Sequence, residues 1–409
     1  MRKIRRTLPK QNPVPAKFLR LSSDRLRQFL AILAVAGIGC LALVVTHAAT
    51  PAAVSVEAES GTLSGGASAV TDAGASGGKA VQFQSAPSGG TSGGTTGGTG
   101  GTTGGTTGTA LTLSGTALMQ GSTRFVFKGV NLEYFRDPGG ASISNSEVPI
   151  ASQIVAKMKA AGINAVRLDY SPGFVNQGSN MANYEAMMKL LATNGIYVMP
   201  CDHSYTGKDI SGYTTTSFPD FKTIIDYAAQ QGITNYLIMN PYNEPYSSDN
   251  ASSWNAANEA TLQYFRSTLG FKGVVVLDTT AWATTDNTSS FQTLTSYDAS
   301  LLGGKANVIF SNHLYPNYNY QTPINLAKQY PMVFGEVGNT LSGSYSSSGA
   351  SYVNTVFQSL ISTGIPNGHN GAFPWVWWWT DGNQMTNDGL TLNTFGQQIV
   401  TNYYNKVTN

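Results

Sequence analysis

Two glutamates follow short apolar runs that have the character of buried parallel strands. The run 237–239 leads into Glu244, and the run 331–335 leads into Glu336. Pro245 cannot donate a ladder hydrogen bond, so the first of these strands must end there. The C-terminal ends of parallel strands meet at one edge, where one carboxyl group can act as an acid and another as a base or nucleophile. The sequence therefore predicts an acid–base site at this edge.

Other polar and aromatic side chains also lie at or near the ends of apolar runs. They are Arg167, His203, Asn243, His313, Tyr315, Trp375 and Trp377. Taken singly, each has an ordinary structural explanation, because an arginine at a strand end usually forms a surface ion pair and a lone histidine usually satisfies an interior hydrogen bond. Their conjunction with both glutamates at one predicted face indicates an active site.

Eight apolar runs of strand character begin near residues 125, 165, 197, 237, 274, 307, 332 and 372. Segments with helical spacing of apolar residues separate them, and several end at a glycine, the usual helix stop: Gly162, Gly195, Gly232, Gly270 and Gly364. Such units, in roughly the 250 residues typical of the fold, predict an α/β protein of the (β/α)8 TIM-barrel type over residues 111–409. A doubly wound open sheet is the alternative, but it usually has a phosphate-binding glycine turn after its first strand, and the loop after Leu132 has none.

Three segments of different composition precede this predicted barrel. Residues 1–49 combine a basic stretch with the apolar run 29–45, which predicts a signal peptide or, if it is not cleaved, a membrane anchor. Residues 50–88 alternate like short strands, and residues 89–110 consist mostly of Gly, Thr and Ser, which is typical of a flexible linker. We therefore expect the body to be secreted and extracellular, or anchored at the cell surface.

The composition argues against several classes of protein. The 409-residue chain has a net charge of +2, but basic residues concentrate at the N-terminus and leave a mildly acidic body, which disfavours a nucleic-acid partner. The four histidines have no metal-site spacing and no glycine-rich phosphate motif follows a strand, so we expect no metal and no cofactor. Two distant cysteines cannot form a disulfide framework. No obligate protein partner is expected either.

From about Leu111 to its end, the chain resembles glycoside hydrolase family 5, the cellulase and mannanase family of (β/α)8 retaining enzymes. That family has an Arg after strand two, a His after strand three, Asn-Glu after strand four, a His and a Tyr after strand six, a Glu after strand seven and a Trp on strand eight. This chain fills those positions in order with Arg167, His203, Asn243, Glu244, His313, Tyr315, Glu336 and Trp375. Four other acids rank below the two glutamates because none lies in a matching motif: Glu133, Asp169, Asp202 and Asp278.

The resemblance implies a role for each charged residue. Glu244 would be the acid and base, and Glu336 the nucleophile, in a double displacement that needs two carboxyl groups ~5 to 5.5 Å apart. Arg167 and Tyr315 would hold Glu336 as a carboxylate. His313 would lie near Glu244 and tune its proton.

The resemblance also implies sugar contacts. Asn243 would bind the 2-hydroxyl, where hydrogen bonds strengthen in the transition state. Trp375 would offer an aromatic plane to a pyranose, with Trp377 and Trp282 as further partners, and His203 would support the same site.

The implied activity is that of an exported retaining endo-β-1,4-glycanase acting on a polysaccharide. The stretches 202–207 and 371–377 look most like bacterial mannanases, which favours β-mannan slightly over β-glucan and leaves an endo-β-1,4-glucanase as the alternative. A non-catalytic polysaccharide-binding barrel is an alternative of another class, and a transglycosylase would share the covalent intermediate. Residues 50–88 resemble the opening strands of family 6 and 35 carbohydrate-binding modules, but they are too few to bury a sandwich core and are interpreted as a truncated remnant.

Overall fold

The computed structural model describes residues 67–71, 79–83, 108–136, 144–210, 218–246, 251–341, 343–379 and 381–409. The chain divides into one unit that ends at Thr99 and a second that begins at Gly100. The expected signal or anchor in residues 1–49 lies outside the described residues, as does most of the linker. Within the described ranges, no helix is both long and apolar enough to cross a membrane.

The described part of the first unit is one antiparallel pair of strands. Strand β1 (Ala67–Thr71) pairs with β2 (Lys79–Phe83), with Ala67 opposite Phe83 and Thr71 opposite Lys79. Both strands lie in the segment 50–88, whose alternating pattern predicts strands. The resemblance of this segment to carbohydrate-binding modules stays a prediction.

The second unit begins with a small antiparallel sheet of β3 (Leu111–Ser114), β4 (Ala117–Gln120) and β5 (Thr123–Arg124). Asn370 ties this sheet to the barrel, because its Oδ1 accepts hydrogen bonds from the Leu118 N–H at 2.8 Å and from Arg124 Nη1 at 2.7 Å. Asn370 directly precedes a barrel strand that starts at Gly371. The small sheet therefore lies at the N-terminal end of the barrel, away from the predicted site.

Seven parallel strands form most of the barrel wall: β6 (Phe127–Glu133), β7 (Ala165–Tyr170), β8 (Tyr197–Asp202), β9 (Val275–Asp278), β10 (Val308–Leu314), β11 (Met332–Val337) and β12 (Gly371–Pro374). Their order in the sheet is β8-β7-β6-β12-β11-β10-β9. The segment 237–240 lies between β8 and β9 and bridges both edges of this sheet. Eight parallel segments thus surround the core, which confirms the (β/α)8 fold.

The fourth wall segment is shorter than its apolar run suggests. The Ile238 N–H donates to the Val198 oxygen at 2.9 Å, and the Val276 N–H donates to the Met239 oxygen at 2.7 Å. Pro241 follows and has no N–H to donate, which limits further ladder pairing. The chain then leaves the wall and forms the loop that carries Glu244.

Apart from the short segment Thr280–Ala283, which has left-handed residues inside it, the described α-helices are α1 (Ala151–Ala160), α2 (Pro172–Val175), α3 (Asn180–Thr193), α4 (Phe218–Gln230), α5 (Ala251–Gln263), α6 (Thr288–Leu301), α7 (Gln321–Leu326), α8 (Ser347–Ser359) and α9 (Thr394–Ile399). In α4, Phe221, Ile224 and Ala228 recur on one face and are buried. This spacing gives the helix an apolar stripe, which packs into the core.

Four of the five glycines predicted to stop helices adopt the left-handed conformation that a helix end requires: Gly162, Gly195, Gly232 and Gly270, with φ between +66° and +84°. The helix that begins as α8 also ends at Gly364, the last residue of the π turn Leu360–Gly364, but this glycine is not left-handed. A Cβ at Gly364 would lie 2.9 Å from Leu360 Cδ1, so the glycine serves close packing there.

Gly349, near the start of α8, packs against the loop that follows β11. A Cβ at this position would overlap the backbone oxygen of Asn339, so the helix or the loop would have to shift. We expect Gly349→Ala to lower the free energy of unfolding by about 1–3 kcal/mol. Thermal unfolding should show a Tm lower by at least about 2–4 °C. Gly173→Ala in α2 is the matched control, because a Cβ there meets nothing within 4 Å; equal Tm values for the two variants would contradict this packing.

Candidate active site

Glu336 lies near the end of β11 and is held by three groups. The Tyr315 hydroxyl donates to Oε2 at 2.6 Å, and Arg167 Nη1 donates to Oε1 at 3.1 Å. His313 Nδ1 lies 3.4 Å from the same Oε1. The side chain is only 3% exposed. These contacts stabilise the ionised carboxylate and fix its direction, as a nucleophile requires.

Glu244 lies on the loop after the fourth wall segment, in a left-handed conformation with φ +42°. Its N–H donates to Asp278 Oδ2 at 3.1 Å, and its C=O accepts a hydrogen bond from the Gly207 N–H at 2.8 Å. These two bonds hold a backbone conformation that residues other than glycine rarely adopt. The side chain is 16% exposed, and its Oε1 lies 2.8 Å from His313 Nδ1. Glu244 is therefore the more accessible of the two acids.

The two carboxyl groups lie close together. An oxygen of Glu244 and an oxygen of Glu336 are within 4.8 Å of each other, and a ring nitrogen of His313 is within the same distance of both. Retaining glycosidases keep their carboxyl groups ~5 to 5.5 Å apart, whereas inverting enzymes need ~6.5 to 9.5 Å to admit a water molecule. The spacing fits a double displacement.

Asp278, the last residue of β9, organises the buried polar layer beneath the glutamates. Its Oδ2 accepts from Arg167 Nη2 at 3.2 Å and from the Glu244 N–H, and it lies 3.3 Å from His313 Nε2. One carboxylate thus contacts groups that position both glutamates. From the sequence alone, Asp278 ranks below the glutamates, although its position at the end of the apolar run 274–277 indicates burial.

Arg167 is fully buried and is fixed by three asparagines. Its Nε donates to Asn240 Oδ1 at 2.7 Å, its Nη1 to Asn131 Oδ1 at 3.0 Å and its Nη2 to Asn243 Oδ1 at 2.6 Å. Sequence reasoning missed Asn131 and Asn240. The signal for both was an amide within an otherwise apolar strand run.

Burial and charge together set the ionisation of the site. Burial raises the pKa of the Glu336 carboxyl, against the opposing charges of His313 and Arg167. Burial alone would lower the pKa of His313, but the carboxylates of Glu336 and Asp278 dominate and raise it to about 10. Burial would raise the pKa of Asp278, yet His313 and Arg167 hold it well below its usual range. His313 is therefore an imidazolium at neutral pH whose Nδ1 donates to Glu244 Oε1, while its Nε2 forms an ion pair with Asp278 Oδ2 at 3.3 Å.

The cavity above these groups has a volume of about 370 Å3. Its wall contains His203, Asn243, Glu244, Tyr315, Glu336 and Trp375, together with Glu133, Arg136, Trp379 and Asp381, to which the sequence assigned no role in the site. The structure thus brings six of the predicted residues to one cavity. Arg167 and His313 lie directly beneath it.

Trp375 and His203 form one side of the cavity. Their rings lie 5.9 Å apart between centroids at an angle of 27°. His203 Nε2 is 2.9 Å from Asp169 Oδ1, and burial lowers the pKa of His203, which keeps the ring neutral. On Asn243, Nδ2 donates to Thr206 Oγ1 at 3.0 Å and retains a second hydrogen for a ligand.

The other two predicted tryptophans, Trp377 and Trp282, have different surroundings. Trp377 is fully buried and its Nε1 donates to the Gly389 oxygen at 2.9 Å, so it forms part of the core. Strand alternation suggested that Trp377 and Trp375 face the same way, but β12 ends at Pro374 and the alternation ends with it. Trp282 is 47% exposed beside the loop that carries Glu244, because its backbone N–H donates to the Pro245 oxygen at 3.3 Å and its ring packs on Tyr246 with centroids 4.5 Å apart. It is outside the described cavity wall, and its contact with a sugar stays a prediction.

Two clusters have the donor types of a metal site. They are Glu244, His313 and Glu336, and Asp169, Cys201 and His203. A cation of the protein already lies against each cluster, because Arg167 Nη1 is 3.1 Å from Glu336 Oε1 and 3.3 Å from Asp169 Oδ1. A buried guanidinium at these distances repels a divalent metal ion. We assign neither cluster to a metal.

The bond from Tyr315 to Glu336 predicts a pH effect. This bond stabilises the carboxylate and therefore lowers the pKa of Glu336. Because the carboxylate is the nucleophilic form, kcat/KM should fall as the pH drops through that pKa. We expect Tyr315→Phe to move this acid limb to higher pH and to lower kcat, which a pH–rate profile measures.

Tyr297→Phe is the control for this profile, since Tyr297 lies on the outer helix α6 and donates to Gln263. An acid limb that stays in place in Tyr315→Phe would show that the hydroxyl does not tune Glu336.

Residues 121–368 match the family described as Cellulase (glycosyl hydrolase family 5). A mannan endo-1,4-beta-mannosidase from Cellvibrio japonicus is 24% identical over 313 residues, which cover 71% of this chain and 65% of that protein. The present chain therefore matches less than two thirds of that relative's length.

Solved structures share the fold. A beta-mannanase from Thermomonospora fusca superimposes with a TM-score of 0.54 at 22% identity, over 72% of this chain and 95% of that chain. The catalytic domain of an endoglucanase from Thermobifida fusca gives a TM-score of 0.55 at 14% identity, over 71% of this chain and 96% of that chain. Identities this low show a common fold and no more.

Proposed function

Because the chain belongs to glycosyl hydrolase family 5, we propose that it cleaves the β-1,4-linked backbone of mannan as a retaining endo-glycanase. The observation that carries this proposal is the close pair of Glu244 and Glu336 at the floor of an open cavity. Their different surroundings support different roles. Glu336 is enclosed by donors that favour its carboxylate, whereas Glu244 is the more exposed acid.

In the first step, the Glu336 carboxylate attacks the anomeric carbon of a backbone sugar. Glu244 gives its proton to the glycosidic oxygen, and the leaving chain departs as an alcohol. A glycosyl ester of Glu336 remains. His313 donates to Oε1 of Glu244, so the transferred proton resides on the other oxygen, Oε2.

In the second step, the Glu244 carboxylate takes a proton from a water molecule. The water oxygen attacks the anomeric carbon, the ester bond breaks, and Glu336 returns to its carboxylate form. Two inversions give net retention at the anomeric carbon. Hydrogen bonds from Arg167 and from the Tyr315 hydroxyl stabilise the negative charge that returns to Glu336.

Mannan is favoured over glucan by the local resemblance of residues 202–207 and 371–377 to bacterial mannanases and by the names of the relatives. An endo-β-1,4-glucanase is the second candidate, supported by the fold shared with the Thermobifida fusca endoglucanase. A non-catalytic binding barrel is disfavoured by the intact acid pair and its supporting arginine and tyrosine.

The test is the release of reducing sugar by the full chain from mannan, glucomannan and carboxymethylcellulose, with Glu336→Ala as the control. Release from mannan that disappears in the variant is expected. If the wild type prefers carboxymethylcellulose, its substrate is β-glucan rather than mannan. A folded wild-type protein that releases nothing from any of the three would contradict the proposed endo-1,4-glycanase.

We also propose that the enzyme acts outside the cell. The basic stretch and apolar run of residues 1–49 support this, and so does a polymeric substrate that cannot enter a cell. N-terminal sequencing of the exported protein tests the proposal. A new N-terminus after the apolar run indicates a cleaved signal, an intact N-terminus in the membrane fraction indicates a tether, and retention in the cytoplasm contradicts export.

A further inference from the structure

A second cavity of about 360 Å3 adjoins the catalytic cavity, and Asp381 lines both. The loops after β11 and β12 and the first residues of α9 form its wall, which includes Tyr345, Gln384, Asn387, Asn393 and Phe395. Asp381 is the one charged residue among the described wall residues, and the other polar groups are three amides and the hydroxyls of Thr394 and Tyr345. The wall therefore suits a neutral, hydroxyl-rich ligand rather than an ion.

Tyr345 gives this cavity an aromatic surface. Its side chain is 48% exposed, and its ring meets Phe395 edge to face with centroids 6.1 Å apart. An aromatic ring that is held on one side and open on the other presents a flat apolar face next to polar groups. That combination matches a pyranose, which has an apolar C–H face and a rim of hydroxyl groups.

Gln384 supplies an unused polar atom in the same wall. Its Oε1 is shielded from solvent and has no hydrogen-bond partner among the described residues. A shielded acceptor without a partner is unfavourable unless a ligand or water satisfies it. A sugar hydroxyl in the cavity would donate to it once the half-buried Gln384 side chain turns this oxygen toward the ligand.

The wall is fixed before any ligand arrives. The Gly382 N–H donates to the Gly343 oxygen at 2.8 Å, and Asn339 Nδ2 donates to the Gly382 oxygen at 2.7 Å. The Ser346 N–H donates to Asn339 Oδ1 at 3.0 Å. These bonds tie the segment that carries Tyr345 to the loop that carries Gln384. Binding a ligand therefore costs little additional conformational entropy of these loops.

We infer that this second cavity is a distal subsite for a sugar unit of the same neutral polysaccharide chain that is cleaved at Glu244 and Glu336. The inference rests on the proposed function and adds a position at which the chain is held beyond Asp381. Because Asp381 lines both cavities, a polymer chain that leaves the catalytic cavity at this residue meets the second cavity next. The enzyme should therefore favour long substrates over short ones.

The experiment measures kcat/KM of the full chain on manno-oligosaccharides from three to six units long, or on the matching cello-oligosaccharides if the wild type prefers glucan. Tyr345→Ala and Gln384→Ala remove the two proposed contacts singly. Tyr345→Phe keeps the ring, and Tyr297→Ala on α6 is a control at another tyrosine. Thermal unfolding of each variant checks its folding.

Tyr345→Ala should lower kcat/KM by about tenfold for the six-unit substrate, the loss typical of one aromatic contact. The value for the shortest cleaved substrate should stay unchanged, and Tyr345→Phe should retain wild-type values at all lengths. Gln384→Ala should show a smaller loss with the same dependence on length.

An equal loss at every length would mean that the substitutions disturb the catalytic site, and no loss at any length would mean that no sugar binds here. Either result overturns the subsite while the activity of the wild type still supports the proposed function. A wild type that is inactive on all substrates overturns both.

Discussion

Glu336→Ala is expected to lower kcat on mannan by a factor of about 10⁴ to 10⁶, the loss seen when a covalent nucleophile is removed. The physical reason is that no other described carboxylate is aligned by Arg167 and the Tyr315 hydroxyl as Glu336 is. Initial rates of reducing-sugar release measure the effect. Glu259→Ala on the outer helix α5 is the matched control and should keep wild-type activity.

The same variant should respond to azide. Azide can enter the space that the carboxylate vacates and attack the anomeric carbon of a substrate with a good leaving group. One displacement replaces two, so the product is a glycosyl azide of inverted configuration. Residual activity within tenfold of wild type, or an azide product of retained configuration, would contradict the assignment of Glu336.

Glu244→Ala is expected to lower kcat on mannan by a factor of about 10² to 10⁴, the usual contribution of general acid–base catalysis. The loss arises because the leaving sugar oxygen departs without a proton. A 2,4-dinitrophenyl mannobioside has a leaving group that needs no proton, so its first step should be nearly as fast as in the wild type. Stopped-flow measurement should then show a burst of dinitrophenol followed by slow turnover.

Azide distinguishes this variant from the previous one. It attacks the glycosyl ester that accumulates on Glu336, and the product is a glycosyl azide of retained configuration. An equal loss on mannan and on the dinitrophenyl substrate, without a burst, would show that Glu244 is not the acid.

The fold could be predicted because each wall segment has a local signature. The strand runs are apolar, they end at polar residues, and glycines such as Gly162 and Gly232 stop the intervening helices. The fourth wall segment is reduced to bridges because Pro241 interrupts it, which the apolar run alone did not show. Gly364 also ends its helix but serves close packing, and a glycine needed for packing looks the same in a sequence as one needed for a left-handed turn.

The two glutamates could be proposed from sequence because each follows a strand and the strands end at one face. The buried contacts of Asp278 beneath them could not be predicted. Asp278 is one of several acids near strand ends, and only the three-dimensional arrangement shows that its Oδ2 reaches Arg167, His313 and the Glu244 backbone. Contacts among four separate segments depend on how the barrel closes.

The sequence alone also could not decide which tryptophan reaches the cavity. The apolar run 372–379 contains four tryptophans, and strand periodicity alone assigns alternate members to one face. The chain leaves the strand at Pro374, so Trp375 reaches the cavity while Trp377 enters the core. Where a strand ends thus decides which tryptophan can meet a sugar.

The most direct test of the central claim is to trap the covalent intermediate. An activated 2-deoxy-2-fluoro mannobioside should react with the full chain, because the fluorine slows hydrolysis of the glycosyl ester more than its formation when the leaving group is good. Mass spectrometry of the digested protein should then find one fluorinated disaccharide on the peptide that contains Glu336 and none on the peptide that contains Glu244. A label on Glu244, or turnover to a product of inverted configuration without any label, would contradict the retaining mechanism.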